Sequence, residues 1–212
     1  MNAEFSRRYL ITNEVLNAVT HGIAAVLSLV GVGFLLQKAT TNLDYVSFTI
    51  YGICLFVLFF ASTLYHSLIF TKARKIFQVF DHCSIFLLIA GTYTPFCLLR
   101  IKGILGAVLL VVIWLAAVAG IIYKSMTLTK RSSVSNMSTI LYNVMGWAVV
   151  IALPVLYQSI GIKGLLLLVG GGLSYSIGSL FYSMKSKKFT HVIWHLLVIL
   201  GALLMFFAVY LY

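Results

Sequence analysis

Long apolar runs joined by short basic loops constrain this chain more than any other feature. Stretches at about 18–37, 45–70, 79–99, 104–123, 138–157, 164–184 and 191–211 each reach spanning length, since a helical bilayer crossing needs about 20 apolar residues. Only 9% of the 212 residues are charged and 62% are hydrophobic, against roughly 25% charged in a soluble domain. So little charge cannot coat a water-facing surface of this size, and the bilayer is the natural solvent. Backbone polar groups in lipid must be satisfied within the chain, which leaves helices or a closed barrel. A barrel needs short segments of alternating polarity, and runs such as Ile50 to Phe60 and Leu165 to Val169 are apolar on both faces. The expected fold is an all-α integral membrane protein: a seven-transmembrane helix bundle forming one domain over 1–212. Residues 1–17 are expected to be a cytoplasmic N-terminal segment.

The net charge of +11 would point to nucleic acid in a soluble protein. Here the basic residues sit in short loops, so the positive-inside rule accounts for them and no nucleic-acid partner is expected. Arg7, Arg8, Lys72, Arg74, Lys75, Lys124, Lys130, Arg131, Lys185, Lys187 and Lys188 fall on one side; Lys38, Arg100, Lys102 and Lys163 fall on the other. Eleven against four places the N-terminus in the cytoplasm, and seven spans then place Tyr212 outside. Glu4 and Glu14 in the first 17 residues, with no small-residue cleavage site, argue against a cleaved signal peptide. Cys54, Cys83 and Cys97 all lie in spans without a CxxC pair and read as free thiols.

Ionisable side chains are costly inside a membrane and usually have a partner or a task. All five histidines, His21, His66, His82, His191 and His195, lie in or at the ends of spans, and of the four acids only Asp81 is clearly inside one. His66 precedes Lys72 by six residues, Asp81 follows Lys75 by six, and His195 follows Lys188 by seven. At 1.5 Å per residue these offsets are about 9, 9 and 10.5 Å, so three helices carry these residues to nearly one depth. His191 and His195 stand at i and i+4 on one helix face, a spacing that lets two imidazoles grip one ion. His66 offers a third nitrogen. Three protein ligands with an open fourth position is the pattern of a catalytic zinc site. Asp81 is placed to position water or orient a ligand, and Ser62, one turn before His66, faces the same way. The pair is His191-Val-Ile-Trp-His195 and lacks the glutamate of HExxH proteases, so any general base is Asp81 or the metal's own hydroxide. Imidazoles also suit copper, iron and nickel, and a lone span histidine commonly serves only as a bond between helices.

These residues also carry a resemblance. Asn17-Ala-Val-Thr-His-Gly22, Ser62-Thr-Leu-Tyr-His66, Asp81-His82 running to Ala90-Gly-Thr-Tyr-Thr-Pro95, Met145-Gly-Trp147, Gly171-Gly172 with Tyr175, and His191-Val-Ile-Trp-His195 resemble the hemolysin III family. That family is the bacterial branch of the progestin and adipoQ receptor family, and the resemblance covers essentially the whole chain. It implies a seven-helix bundle with a cytoplasmic N-terminus in a bacterial plasma membrane. It also implies zinc on His66, His191 and His195, with Asp81 on the metal's water and Ser62 nearby. Receptor members are linked to hydrolysis of ceramide-type lipid amides, and bacterial members to haemolysis and membrane lipid homeostasis.

Four further residues invite a supporting role around the metal. His82 follows Asp81 and so points about 100° away around its helix, toward a different neighbour. Glu14, Asn17 and His21 form one polar stripe entering span one. The stripe reads either as an amphipathic, partly solvated helix start or as the cytoplasmic mouth of the site. Gly170, Ser174 and Gly178 form a small-xxx-small stripe for close helix packing. Pro95 and Pro154 favour kinks, and 124–137 reads as a solvated cytoplasmic loop. The leading functional expectation is a zinc-dependent hydrolase of lipid amides or esters, with membrane lipid as its partner. The alternatives are a membrane-lytic pore, against which the crowding of polar residues at one end speaks, and a metal transporter or sensor. Transport sites tend to sit at the midplane, whereas this cluster is off-centre.

Overall fold

The computed structural model describes residues 6–130, 136–184 and 186–212, and all regular structure among them is helical. The order is α1 (Arg7–Lys38), α2 (Asn42–Ser67), α3 (Arg74–Pro95), a π-helical turn (Phe96–Ile101), α4 (Gly103–Lys130), α5 (Asn136–Trp147), a 3-10 turn (Ala148–Ala152), α6 (Leu153–Ser183) and α7 (Thr190–Leu211). Among the described residues, six helical stretches are long and apolar enough to cross a membrane. The protein is an integral membrane helical bundle. Its outer faces carry Val26, Val30, Val111, Leu115 and Leu166, all more than half exposed; against lipid such residues lose nothing, so apolar burial alone does not hold the helices together.

What joins the helices is close approach through small residues and a few polar stitches. A methyl group on Gly91 of α3 would come within 2.5 Å of Cys54 Cβ on α2, and one on Gly178 of α6 within 2.8 Å of the Trp194 ring on α7. Ser174 Oγ donates to the Leu197 carbonyl at 2.8 Å, so two members of the expected small-residue stripe do face α7. The Tyr93 hydroxyl on α3 lies 2.9 Å from the Met145 and Gly146 carbonyls and accepts from Val149 N at 2.7 Å. It thereby pins the 3-10 turn to α3. α2 packs between α1 and α3, α6 against α7, and α7 returns to α1.

Several boundaries differ from those expected from hydropathy. α1 is already helical at Arg7, so residues 7–17 are its opening turns. Ser6 Oγ accepts from Tyr9 N to start the helix. The Tyr9 hydroxyl accepts from Phe189 N at 2.9 Å and ties this end to the start of α7. Hydropathy marks the part of a helix that lies in lipid, and polar contacts carry α1 beyond it. The expected 124–137 loop is likewise narrower: α4 runs to Lys130, α5 starts at Asn136, and 131–135 lie outside the described residues. Asp44 belongs to a capping box with Thr41 at the start of α2, which accounts for that acid structurally.

Both prolines mark departures from α geometry. Pro95 has no N–H to return to the preceding turn, and the chain after it widens, with Lys102 N reaching Cys97 O at 3.0 Å. Pro154 sits in the first turn of α6, directly after the 3-10 turn, where a missing N–H costs least. The apolar stretch 137–183 is 47 residues long, about 70 Å if straight, more than twice the thickness of a bilayer core. It is interrupted at Gly161, whose φ of 63° and ψ of −177° are non-helical. The interruption falls in the gap between the expected fifth and sixth spans.

Candidate metal centre

The start of α1, the end of α2, the starts of α3 and α7 and the end of α6 meet at one end of the bundle. Their buried faces carry the histidines. His191 and His195 share a face of α7, with ring centroids 4.7 Å apart. His66 of α2 stands 5.2 Å from the first ring and 4.9 Å from the second. One ligand nitrogen from each of these three side chains lies within 4.8 Å of the other two. Around a tetrahedral ion with bonds of about 2.0–2.1 Å, such nitrogens stand roughly 3.4 Å apart, so modest ring rotations close the set.

Orphaned atoms test whether this donor set fits a metal. His66 is 3% exposed and His195 1% exposed. Nε2 of the first and Nδ1 of the second are buried without a hydrogen-bond partner among the described residues. Buried polar atoms are normally paired, and unpartnered imidazole nitrogens within a three-histidine group are donors that a transition metal takes. His66, His191 and His195 therefore form a group that can hold a metal ion.

Beside it lies a cavity of about 20 Å³, lined among others by Ser62, Asp81, His82, His21, His191 and His195. That is room for about one water. The Ser62 hydroxyl is buried and unpartnered among the described residues. Asp81 is not one of the three clustered donors. Its Oδ2 lies 3.3 Å from His82 Nδ1, and the His82 ring also stands against Tyr65 and Tyr182. Side-chain rotation brings adjacent residues of α3 back together despite the 100° between their Cβ directions. His21 stacks on His195 with centroids 3.6 Å apart and planes 9° apart. Asn17 is fully buried with both amide atoms unpartnered among the described residues. The opening stripe of α1 is thus packed, not solvated, at these two positions. Glu14, its third member, is bonded to His66 and Arg74.

Sequence reasoning did not identify Arg74 as part of this network, because it counted only as a positive loop charge. Nor did it find Tyr182 and Trp194, which line the small cavity. Their aromatic character fitted lipid anchoring equally well. It also missed a second cavity of about 110 Å³ between α3, α5, α6 and α7. The two cavities share Leu58, Ile85, Tyr182, Trp194 and Val198 as walls, so the apolar space begins where the histidine-lined space ends.

Comparison with known proteins places this arrangement. The family model described as Haemolysin-III related matches residues 9–206. The chain belongs to the haemolysin III family. Hemolysin-3 of Bacillus cereus is 42% identical, with 95% of this chain and 92% of that protein covered. The Hemolysin-3 homolog of Bacillus subtilis (strain 168) is 44% identical over 96% of each. The human Monocyte to macrophage differentiation factor is 29% identical, over 92% of this chain and 82% of its own length, in keeping with the link to the progestin and adipoQ receptor family. A haemolysin III protein with these helices is a multi-pass protein of the bacterial plasma membrane.

Proposed function

We propose that this haemolysin III protein is a zinc-dependent hydrolase of membrane-lipid amides or esters. In this reading the chain is one domain of seven crossings, the stretch 137–183 crossing twice about Gly161. The histidine cluster then faces the cytoplasm. The observation that carries the reading is the junction of two unlike cavities: one lined by His191, His195, Asp81 and Ser62, the other apolar and sharing five walls with it. A lipid has the same two-part character, a polar linkage joined to an apolar chain.

His66, His191 and His195 would hold the zinc. When bound, zinc supplies Lewis acidity and brings water toward ionisation near neutral pH. The protein's own side chains supply the rest. Asp81 lines the space where one water fits, and its carboxylate is placed to accept that water's proton. Ser62 offers a buried hydroxyl on the same cavity to a carbonyl or headgroup oxygen. Leu58, Ile85 and Val198 exclude bulk water on the chain side, which strengthens every polar interaction within. A linkage about 10 Å below the loops, near the headgroup boundary, would meet these groups without leaving the membrane.

The names of the Bacillus relatives attach haemolysis to those proteins. A pore needs polar side chains along the full depth of a span. Here Ser28, Ser47, Thr92 and Thr94, buried farther along the helices, spend their hydroxyls on carbonyls of their own helices. That favours a site at one end over a lytic pore, a transporter or a sensor. The decisive experiment is elemental analysis of the purified protein beside His66→Ala, followed by turnover of a panel of lipid amides and esters. Near-stoichiometric zinc lost in the variant, with release of fatty acid by the wild type, is the expected result. A zinc-loaded protein that leaves every lipid in a broad panel intact would end the hydrolase reading.

A further inference from the structure

Glu14 makes the shortest contact of the cluster with its Oε2, which lies 2.6 Å from Nδ1 of His66. Its other oxygen accepts from Arg74 Nη2 at 2.9 Å. The Glu14 side chain is only 15% exposed, and that of Arg74 34%. Arg74 in turn lies over the Tyr65 ring at 5.1 Å, so three elements converge: α1 supplies the acid, α2 the histidine and tyrosine, α3 the arginine.

We infer that Glu14 is a positioning residue for the metal centre, which sets the tautomer and ring orientation of His66 and is itself held by Arg74. The inference rests on the proposed metal site. Its chemistry follows from donor and acceptor counts. A carboxylate paired with a guanidinium is an acceptor only, so the short contact requires the imidazole to carry its proton on Nδ1. A neutral ring protonated there presents its lone pair on Nε2. That is the atom left buried and unpartnered among the described residues. The acid on α1 therefore selects which nitrogen of the α2 histidine keeps its lone pair free for a metal. Removing such a carboxylate partner typically weakens metal affinity by roughly 10–100-fold.

The test is cobalt(II) titration of the full-length protein in lipid nanodiscs, following the visible absorption of the bound ion, for wild type, Glu14→Gln, Glu14→Ala and Arg74→Met. Histidine-selective ¹⁵N spectra of the metal-free proteins are recorded alongside, with the His66 signal assigned by its loss in His66→Ala. Wild type should bind one equivalent and show His66 protonated on Nδ1. Glu14→Ala should bind roughly 10–100 times more weakly, with His66 signal moved toward the Nε2-protonated form. Glu14→Gln keeps the side-chain shape and an acceptor, so it should fold as wild type and fall between the two. Arg74→Met should follow Glu14→Gln. Unchanged cobalt affinity in both Glu14 variants, or weaker binding with His66 still protonated on Nδ1 in Glu14→Ala, would overturn the assignment while leaving the metal site intact. A wild type that binds no cobalt would remove the metal reading, and this inference with it.

Discussion

At the residue scale the question is which side chains hold an ion and which act on what lies beside it. In the proposed reading Asp81 separates the two roles. It lines the water-sized cavity with His191 and His195 but is not one of the three clustered donors. Asp81→Asn keeps the shape and removes the capacity to accept a proton. The variant should retain its zinc within about twofold while turnover falls by about 100-fold or more, the usual contribution of a positioned acid or base. Metal content and fatty-acid release measured on the same preparation check this, and zinc lost together with activity would make Asp81 a ligand. The three donors were legible in the sequence because an i, i+4 pair needs no knowledge of tertiary structure. The positive loop charges supplied a depth scale for His66 and Asp81. The packed state of Asn17 and His21 was not legible, since a polar stripe opening a helix has the same spacing whether it faces water or a partner helix. The pairing of Glu14 with Arg74 joins positions 60 residues apart, and no local pattern reports it.

At the scale of elements, packing between α2 and α3 fixes where His66 and Asp81 stand. The ideal Cβ of a residue at position 91 falls 2.5 Å from Cys54 Cβ, an atom next to the α2 backbone that cannot rotate away. Gly91→Ala must push the two helices apart, and overpacking of this kind costs about 1–3 kcal/mol. Gly33 has nothing within 4 Å of its ideal Cβ, so Gly33→Ala should be neutral or slightly stabilising through helix propensity. Thermal unfolding in one detergent compares them: Gly91→Ala should melt clearly below wild type, and Gly33→Ala should not. Equal melting temperatures would mean that the α2–α3 interface is softer than drawn. The small-residue stripe of α6 was readable from its four-residue period. The Gly91 contact was not, because one glycine in an apolar run carries no partner information. The π turn after Pro95 and the 3-10 turn before Pro154 were readable only as disturbances, since a proline removes a hydrogen bond without dictating how the neighbouring turns recover.

At the scale of the whole molecule, everything proposed about access to the site depends on how many times the chain crosses the bilayer. Hydropathy separated 138–157 from 164–184, and the backbone leaves helical geometry at Gly161 within that gap. A straight helix over 137–183 would reach about 70 Å, far beyond an apolar core of about 30 Å. The proposed reading is therefore two crossings joined at the glycine. With two, Lys163 and Lys187 lie on opposite faces, and the histidine end of the bundle sits with Lys187. Both lysines are exposed, so each accepts a reporter cysteine, while the native thiols Cys54, Cys83 and Cys97 are buried and give little background. In intact bacteria a membrane-impermeant maleimide added outside should label Lys163→Cys and spare Lys187→Cys; after permeabilisation both should react. Labelling of both from outside, or of Lys187→Cys alone, would turn the topology over. The lipid linkage would then have to be sought in the outer leaflet, and the excess of basic loops would need a cause other than the positive-inside rule.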